Sequence, residues 1–192
     1  MRLKKKIGLT VFMLLLIGGG KYVYDMHINH NFETITEGKV YKSGVIPPDE
    51  IADYVKKHNI KSIVDLRFPG TGDDVNNPEI PAELTAEKEA VAKISGVNYF
   101  NNGSDQVPKQ HNLDTFFKIM DNQDNYPVLI HCYHGVGRAE MYSAIYRIEY
   151  ENMDCDKART STRFLTKWSS FDLGKPKGDF LHNYKRRKDS LQ

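Results

Sequence analysis

Along the chain, short apolar runs alternate with stretches in which apolar side chains recur every three or four positions. The short runs are Val40-Tyr41, Ser62-Ile63-Val64-Asp65-Leu66, Val97-Asn98-Tyr99-Phe100 and Val128-Leu129-Ile130-His131. Their length and their β-branched and aromatic content predict strands. Between them, Ile51, Tyr54, Val55 and His58 share one helical face, opened by Pro47-Pro48-Asp49. Leu113, Phe116, Phe117 and Met120 form a second such stripe, with Asn112 expected as its N-cap. Met141, Ala144, Ile145 and Ile148 form a third, and Ala82 to Ile94 predicts a helix with a weaker stripe. Phe68 to Pro81, rich in Gly, Asp, Asn and Pro, predicts a long surface loop. Strands alternating with helices, without an internal repeat, imply a layered α/β domain.

The N-terminus breaks this pattern. Arg2-Leu-Lys-Lys-Lys6 precedes an uncharged run from Ile7 to Gly20, the order of charge and hydrophobicity found in a secretory signal. That run falls short of the roughly 20 residues of a spanning helix. Lys21 can snorkel and Tyr22 and Tyr24 suit the membrane interface, so the span extends to Tyr24. No Ala-x-Ala site follows, and Gly18-Gly19-Gly20 is a weak substitute. The readings are an uncleaved anchor, a cleaved signal or a buried core helix. In the first two the lysines stay cytoplasmic and the remainder lies outside the cytoplasm, in the periplasm of a Gram-negative cell or secreted after cleavage. The chain is expected to divide into a signal or anchor at 1–24, a polar linker at 25–38, a layered domain at 39–185 and a basic tail at 186–192.

Charge changes the picture only when read by segment. The net charge of +2 over 192 residues includes four cations before Ile7, which leaves the rest mildly acidic. A second basic run, Lys185-Arg186-Arg187-Lys188, sits near the other end. A mildly acidic body argues against a broad nucleic-acid surface. An apolar share of 40% is enough for a sizeable core. The two cysteines, Cys132 and Cys155, are too few for a disulfide scaffold and lack zinc-site spacing. Cys155 reads as a packing residue, with a pairing to Cys132 as a redox alternative.

The stretch that carries chemistry is Pro127-Val-Leu-Ile-His131-Cys132-Tyr133-His134-Gly135-Val136-Gly137-Arg138-Ala139: an apolar strand, a glycine-bearing loop and an amphipathic helix. Such a turn aims backbone N–H groups and a helix N-terminus at one point, which suits an anion. The same field stabilises a thiolate at Cys132. Arg138, six residues on, can fold over the loop, where its planar fork matches two phosphate oxygens. A thiolate beside a bound phosphate is poised for in-line attack and a covalent phosphocysteine. The alternatives are a structural cysteine in a strand–helix connection and a zinc site of His131, Cys132 and His134, whose tight loop cannot aim all three side chains inward.

His131 to Arg138 resembles the signature loop of the protein-tyrosine/dual-specificity phosphatases, His-Cys-x-x-Gly-x-x-Arg. Val40-Tyr41-Lys42-Ser43-Gly44 and Ile63-Val64-Asp65-Leu66-Arg67 resemble the opening strands of the atypical dual-specificity branch, including its bacterial members. The resemblance spans roughly residues 39 to 185. It implies a three-layer α/β domain with a central four- or five-stranded mixed sheet flanked by helices, and no metal or cofactor. It implies Cys132 as nucleophile and Arg138 as phosphate clamp, and a cradle formed by Tyr133, His134, Gly135, Val136, Gly137 and Arg138. His131 would organise the loop as a supporting residue. The general acid of this family is an Asp some thirty residues before the Cys. Asp105, in Asn101-Asn-Gly-Ser104-Asp105-Gln-Val-Pro108, lies at that distance, with Asp114 and His111 as reserves. Arg67 is either a surface charge or a support for the site.

The sequence also departs from the family pattern. Ala139 stands where the family has Ser or Thr, whose hydroxyl assists hydrolysis of phosphocysteine. Gly137 stands where close relatives carry Asp, and Glu140 is expected to place a negative charge near the incoming phosphate. Slow turnover of the intermediate follows as an expectation. A non-catalytic phosphate-binding module, a rhodanese-type sulfur transferase and a structural tethered domain are the competing classes. The expected partners are a phosphorylated protein, lipid or inositol phosphate as substrate, and a membrane through the N-terminal segment. The anchor and the basic tail favour a substrate near an anionic bilayer, with a solvated, frayed C-terminus as the alternative for the tail. The chain is expected to be a monomer without a nucleic-acid partner.

Overall fold

The computed structural model describes residues 2–69, 80–162 and 168–191. Most of the expected surface loop at 68–81 therefore lies outside the described residues. The first element is an exposed helix, α1 (Arg2–Val23), which runs into a π-helical turn at Tyr24–Ile28. Its stretch Lys6–Val23 is long and apolar enough to cross a membrane, and none of it is buried against the rest of the chain. A core helix is thus the one N-terminal reading that the packing does not support.

The remaining elements are β1 (Glu33–Thr36), β2 (Val40–Ser43), α2 (Ile51–His58), β3 (Ser62–Asp65), α3 (Ile80–Ala92), β4 (Asn98–Asn101), α4 (Gln110–Met120), β5 (Val128–His131), α5 (Arg138–Tyr150), α6 (Cys155–Ser161) and α7 (Pro176–His182). The five strands form one mixed sheet in the order β1-β2-β5-β3-β4. Four of them run parallel, and β1 pairs antiparallel at the edge. The central strands are buried along their whole length, as expected of parallel strands covered on both faces.

Two clusters of buried side chains flank the sheet. One gathers Val64, Ile130, Leu113, Phe116, Met120, Met141, Tyr142, Ile145 and Phe171 under α4 and α5. The other gathers Tyr41, Ile51, Val55, Ile63, Val91 and Leu129 under α2 and α3. The predicted stripes of α2, α4 and α5 are the faces that bury, which is the usual source of helix stability in a small domain.

Three sequence expectations change. Residues 25–38 are not a free linker: they supply the π-helical turn and β1, and Phe32 stacks on both Tyr41 and His58, which also touch each other. Asn112 is not the N-cap of α4. It lies one turn inside, where its Oδ1 accepts from the Lys109 N–H at 3.3 Å, because the helix begins earlier than the apolar stripe. The basic run near the C-terminus is folded back on the domain. Arg187 pairs with Asp121 and Glu149 and lies over the Phe117 ring, Arg186 donates to the Met153 carbonyl, and Lys188 donates to Asn152. Cys155 opens α6 and its Sγ contacts the Tyr184 carbonyl at 3.4 Å; burial pushes its thiol pKa up, the behaviour of a packing residue.

Candidate active site

The register of the parallel strands sets Ser43, His131, Asp65 and Asn101 abreast across the sheet. The chain leaves all four strands at that one edge, the carboxyl end, where ligands of open parallel sheets bind. Gly44, Cys132, Leu66 and Asn102 are the first residues beyond it. Cys132 is buried at 3% exposure and Arg138 at 9%. The Arg138 Nη1 donates to the Leu66 carbonyl at 2.9 Å and approaches the Ser104 carbonyl at 3.4 Å. Those oxygens follow β3 and β4, so the guanidinium lies along the edge at which Cys132 emerges. The Arg138 Nε is buried with no hydrogen-bond partner among the described residues.

The loop itself is pinned from its outer side. Its Tyr133 carbonyl accepts from the Val45 N–H at 2.9 Å, its His134 carbonyl from the Asn31 carboxamide at 3.0 Å and its Gly135 carbonyl from the Lys42 ammonium at 3.3 Å. Gly135 has φ of +73°, and a Cβ there would lie 2.6 Å from the Gly44 nitrogen. Only glycine combines that dihedral with that approach. Gly137 is glycine for a different reason: a Cβ would meet the Gln106 Oε1 at 2.9 Å. Gln106 in turn accepts from Lys177 of α7 at 3.0 Å. Tyr133 and Val136 are half-buried and His134 is exposed.

Beneath the loop lies a charged network that the sequence did not announce. Arg67, fully buried, binds Asp65 through Nε and Nη2 and also reaches Glu87 of α3. His131 Nε2 lies 2.9 Å from Glu87 Oε1, off the line of a hydrogen bond, and 3.8 Å from Asp65. Burial works against a charge on His131, yet the carboxylates of Glu87 and Asp65 hold its pKa above the usual imidazole range. Asp65 goes the other way. Despite burial, His131 and Arg67 hold its carboxyl below the usual range, and Tyr99 donates a further hydrogen bond to it. Asp65, Glu87 and His131 are the one group among the described residues close enough to hold a metal ion. The Arg67 guanidinium already sits between both carboxylates and supplies the cation they need, so the donor set does not fit a metal.

Glu140 corrects its sequence reading. It is buried and its charge is met by Lys42 at 2.9 Å, and Lys42 also reaches Glu33 at 3.2 Å. Burial, opposed by Lys42, raises the Glu140 pKa. Asp105 lies on the segment after β4, just past Ser104, with its side chain half exposed and paired with Lys109 at 3.0 Å. Its neighbour Ser104 is held to α5 by the Tyr142 hydroxyl at 2.8 Å. Asp114 bonds Gln110 on the outer face of α4, and the His111 carbonyl accepts from Thr115 within that helix.

A family model described as "DSP-PTPase phosphatase fused to NAD+ Kinase" matches residues 19–173. No curated protein sequence matches the chain. Among solved structures, the chain is similar to the catalytic core of the PP-IP phosphatase Siw14 from S. cerevisiae, crystallised with citrate. The identity is 20% and the TM-score 0.58, covering 81% of this chain and 85% of that one. It is also similar to TpbA of P. aeruginosa, at 14% identity and a TM-score of 0.57 over 82% and 86% of the two chains. A putative phosphatase from Shewanella putrefaciens gives 19% identity and a TM-score of 0.55 over 83% and 93%. At such identities these likenesses show the fold, whereas the family match takes in the edge of the sheet, the signature loop and α5 together. The chain belongs to the DSP-PTPase phosphatases, the atypical cysteine-dependent dual-specificity group, and is a phosphoric monoester hydrolase.

Proposed function

We propose that the chain hydrolyses phosphomonoesters through a phosphocysteine on Cys132, with Arg138 clamping the phosphoryl oxygens and Asp105 protonating the leaving oxygen. The observation that carries this reading is Arg138. Two carbonyls fix its Nη1 and leave its Nε as a buried donor without a partner. A buried guanidinium donor is expensive to leave unsatisfied, and a phosphoryl oxygen on the loop would satisfy it in the bidentate manner of arginine. Attack by the Cys132 thiolate forms the S–P bond as the P–O bond to the leaving group breaks, and Asp105 delivers the proton to that oxygen. Water then attacks phosphorus and gives a proton to the Asp105 carboxylate as the S–P bond breaks, which releases inorganic phosphate and regenerates the thiolate.

A loop that holds a phosphoryl group sets the class of group and not the molecule that carries it. A phosphotyrosine-bearing protein, an inositol phosphate and a lipid phosphate all present the group the loop would hold. Siw14 is described as a PP-IP phosphatase, and a Cys-to-Ser variant of TpbA was crystallised with phosphotyrosine. The compact arrangement of Arg186, Arg187 and Lys188 removes most of the basic tail from the case for anionic lipid. The exposed apolar α1 supports attachment of the domain to a membrane, with the catalytic domain outside the cytoplasm on the positive-inside rule. Alkaline carbonate washing of membranes checks the anchor; release into the supernatant would contradict it.

A second reading, a phosphate-binding module with little turnover, rests on Ala139. Release of p-nitrophenol from its phosphate separates the two. Cys132→Ser should abolish release, and Asp105→Asn should lower kcat by about 10²–10⁴-fold on substrates with a basic leaving oxygen. Full activity of Cys132→Ser would refute the covalent mechanism.

A further inference from the structure

The three carbonyls of the signature loop that accept hydrogen bonds from outside have a geometric consequence. In a trans peptide the C=O of one residue and the N–H of the next point in opposite directions. Pulling the carbonyls of Tyr133, His134 and Gly135 toward Val45, Asn31 and Lys42 therefore turns the N–H groups of His134, Gly135 and Val136 the other way. None of those three N–H groups donates to a backbone carbonyl among the described residues. The aim of a phosphate cradle is thus set by whatever holds its outer face.

Two of the three outside donors belong to β2 and its continuation, but the third does not. Asn31 follows the π-helical turn that continues α1, and it is tied to that turn. Its own N–H donates to the Asp25 carbonyl at 2.6 Å, and the Asn29 N–H donates to the Tyr24 carbonyl at 2.9 Å. His30 and Asn31 both adopt left-handed φ values, 49° and 53°, a conformation that persists in non-glycine residues where surrounding contacts over-determine it. Those contacts are visible: the His30 carbonyl accepts from the Gly44 N–H at 2.7 Å, and the His30 ring lies 2.9 Å from Glu50. Gly44 is the spacer between the two layers. A Cβ there would come within 2.9 Å of the Tyr133 carbonyl oxygen and 3.2 Å of the His30 carbonyl oxygen.

We infer that the segment joining the apolar helix to the domain is a working part of the phosphate cradle, and that Asn31 is a positioning residue for substrate phosphate. The inference rests on the reading of residues 132–138 as that cradle. Asn31 touches no substrate: its carboxamide orients the peptide between His134 and Gly135, so the Gly135 N–H faces the phosphoryl oxygens. The chemistry of the active site is thereby tied to the place where α1 ends, with no slack chain between them.

The test uses the full 192-residue chain in detergent micelles. Asn31→Asp keeps the shape and the tolerance for left-handed φ but cannot donate. Asn31→Gly keeps the backbone and deletes the side chain. In both, the inhibition constant of inorganic phosphate and KM for p-nitrophenyl phosphate should rise together by about fivefold, roughly 1 kcal/mol. The value of kcat should change by less than that, and Tm should stay within about 2 °C. Unchanged phosphate affinity in both variants overturns the inference. So does a large fall in Tm with kcat and phosphate affinity lost in parallel, since that outcome makes Asn31 a fold residue only. Failure of the underlying site reading looks different: the unmutated protein would then show no phosphate inhibition, or Cys132→Ser would retain turnover.

Discussion

At the scale of single residues, the site is governed by how closely backbone can approach backbone. Gly135 and Gly137 sit two positions apart in the same loop and answer to different constraints. A Cβ at Gly135 would strike backbone atoms of Ser43 and Gly44 at 2.6–2.9 Å, at a φ that side chains avoid. A Cβ at Gly137 would strike the end of the Gln106 side chain, which can move. Gly135→Ala should therefore abolish p-nitrophenyl phosphate hydrolysis and lower Tm by several degrees, whereas Gly137→Ala should keep Tm within about 2 °C and release the Gln106–Lys177 contact. Thermal melts of the two variants side by side check this. Ala139, fully buried at the start of α5, lacks the hydroxyl that would assist loss of the cysteine thiolate from the intermediate. Rapid mixing should show a burst of product, and Ala139→Ser should raise the steady-state rate and shrink the burst; an unchanged rate would remove the basis for a slow second step.

At the scale of elements, β2 does more than complete the sheet. Lys42, at 1% exposure, links Glu140 of α5 to the Gly135 carbonyl of the loop. Removing one partner of a buried ion pair leaves an uncompensated charge, whereas removing both is far less costly. Lys42→Met should lower unfolding free energy by about 3 kcal/mol, and Lys42→Met with Glu140→Leu should recover most of it. Because Met cannot donate to the Gly135 carbonyl, the double variant should regain stability in urea melts yet still bind phosphate more weakly than the unmutated chain. Equal recovery of both properties would show that the ammonium acts on α5 alone.

At the scale of the whole molecule, the buried network of Asp65, Arg67, Glu87 and His131 joins β3, β5 and α3 directly beneath the loop. His131 has a folded-state pKa raised above its ordinary 6.5. Its contribution to stability is therefore full below about pH 6.5 and is lost as pH rises through the raised value. Asp65 is depressed below 3.8, so its contribution is present above that pH and is lost as acid passes through the lowered value. Tm should fall as pH rises from about 6.5 through the raised His131 value, and His131→Asn should flatten that limb and also weaken the acid limb, because His131 helps hold the Asp65 carboxyl down. A Tm profile of the variant that still declines in parallel with the unmutated chain would exclude His131 as the titrating group.

The chain's local pattern determined a good deal. Val128–His131, the helix after Arg138, the amphipathic faces of α2 and α4, and the spacing of Cys132 to Arg138 are all local quantities. They depend on side-chain periodicity and on which residues tolerate a tight turn, so they could be read without coordinates. The charge on Arg138 belongs to the same class, whereas the need for a glycine at 135 comes from the close approach of Ser43 and Gly44. What only the tertiary structure decided are the partners that local pattern does not encode. Residues 25–38 look polar and irregular, yet β1 and Asn31 are held there because β2 offers an open edge and the loop offers a carbonyl. Glu87 lies on a weakly patterned helix and becomes a network member only when α3 packs over β3. Glu140 reads as a misplaced negative charge until Lys42 is found beside it. Each of these is a long-range pairing of polar groups removed from water, and its worth is set by geometry that no run of neighbouring residues contains.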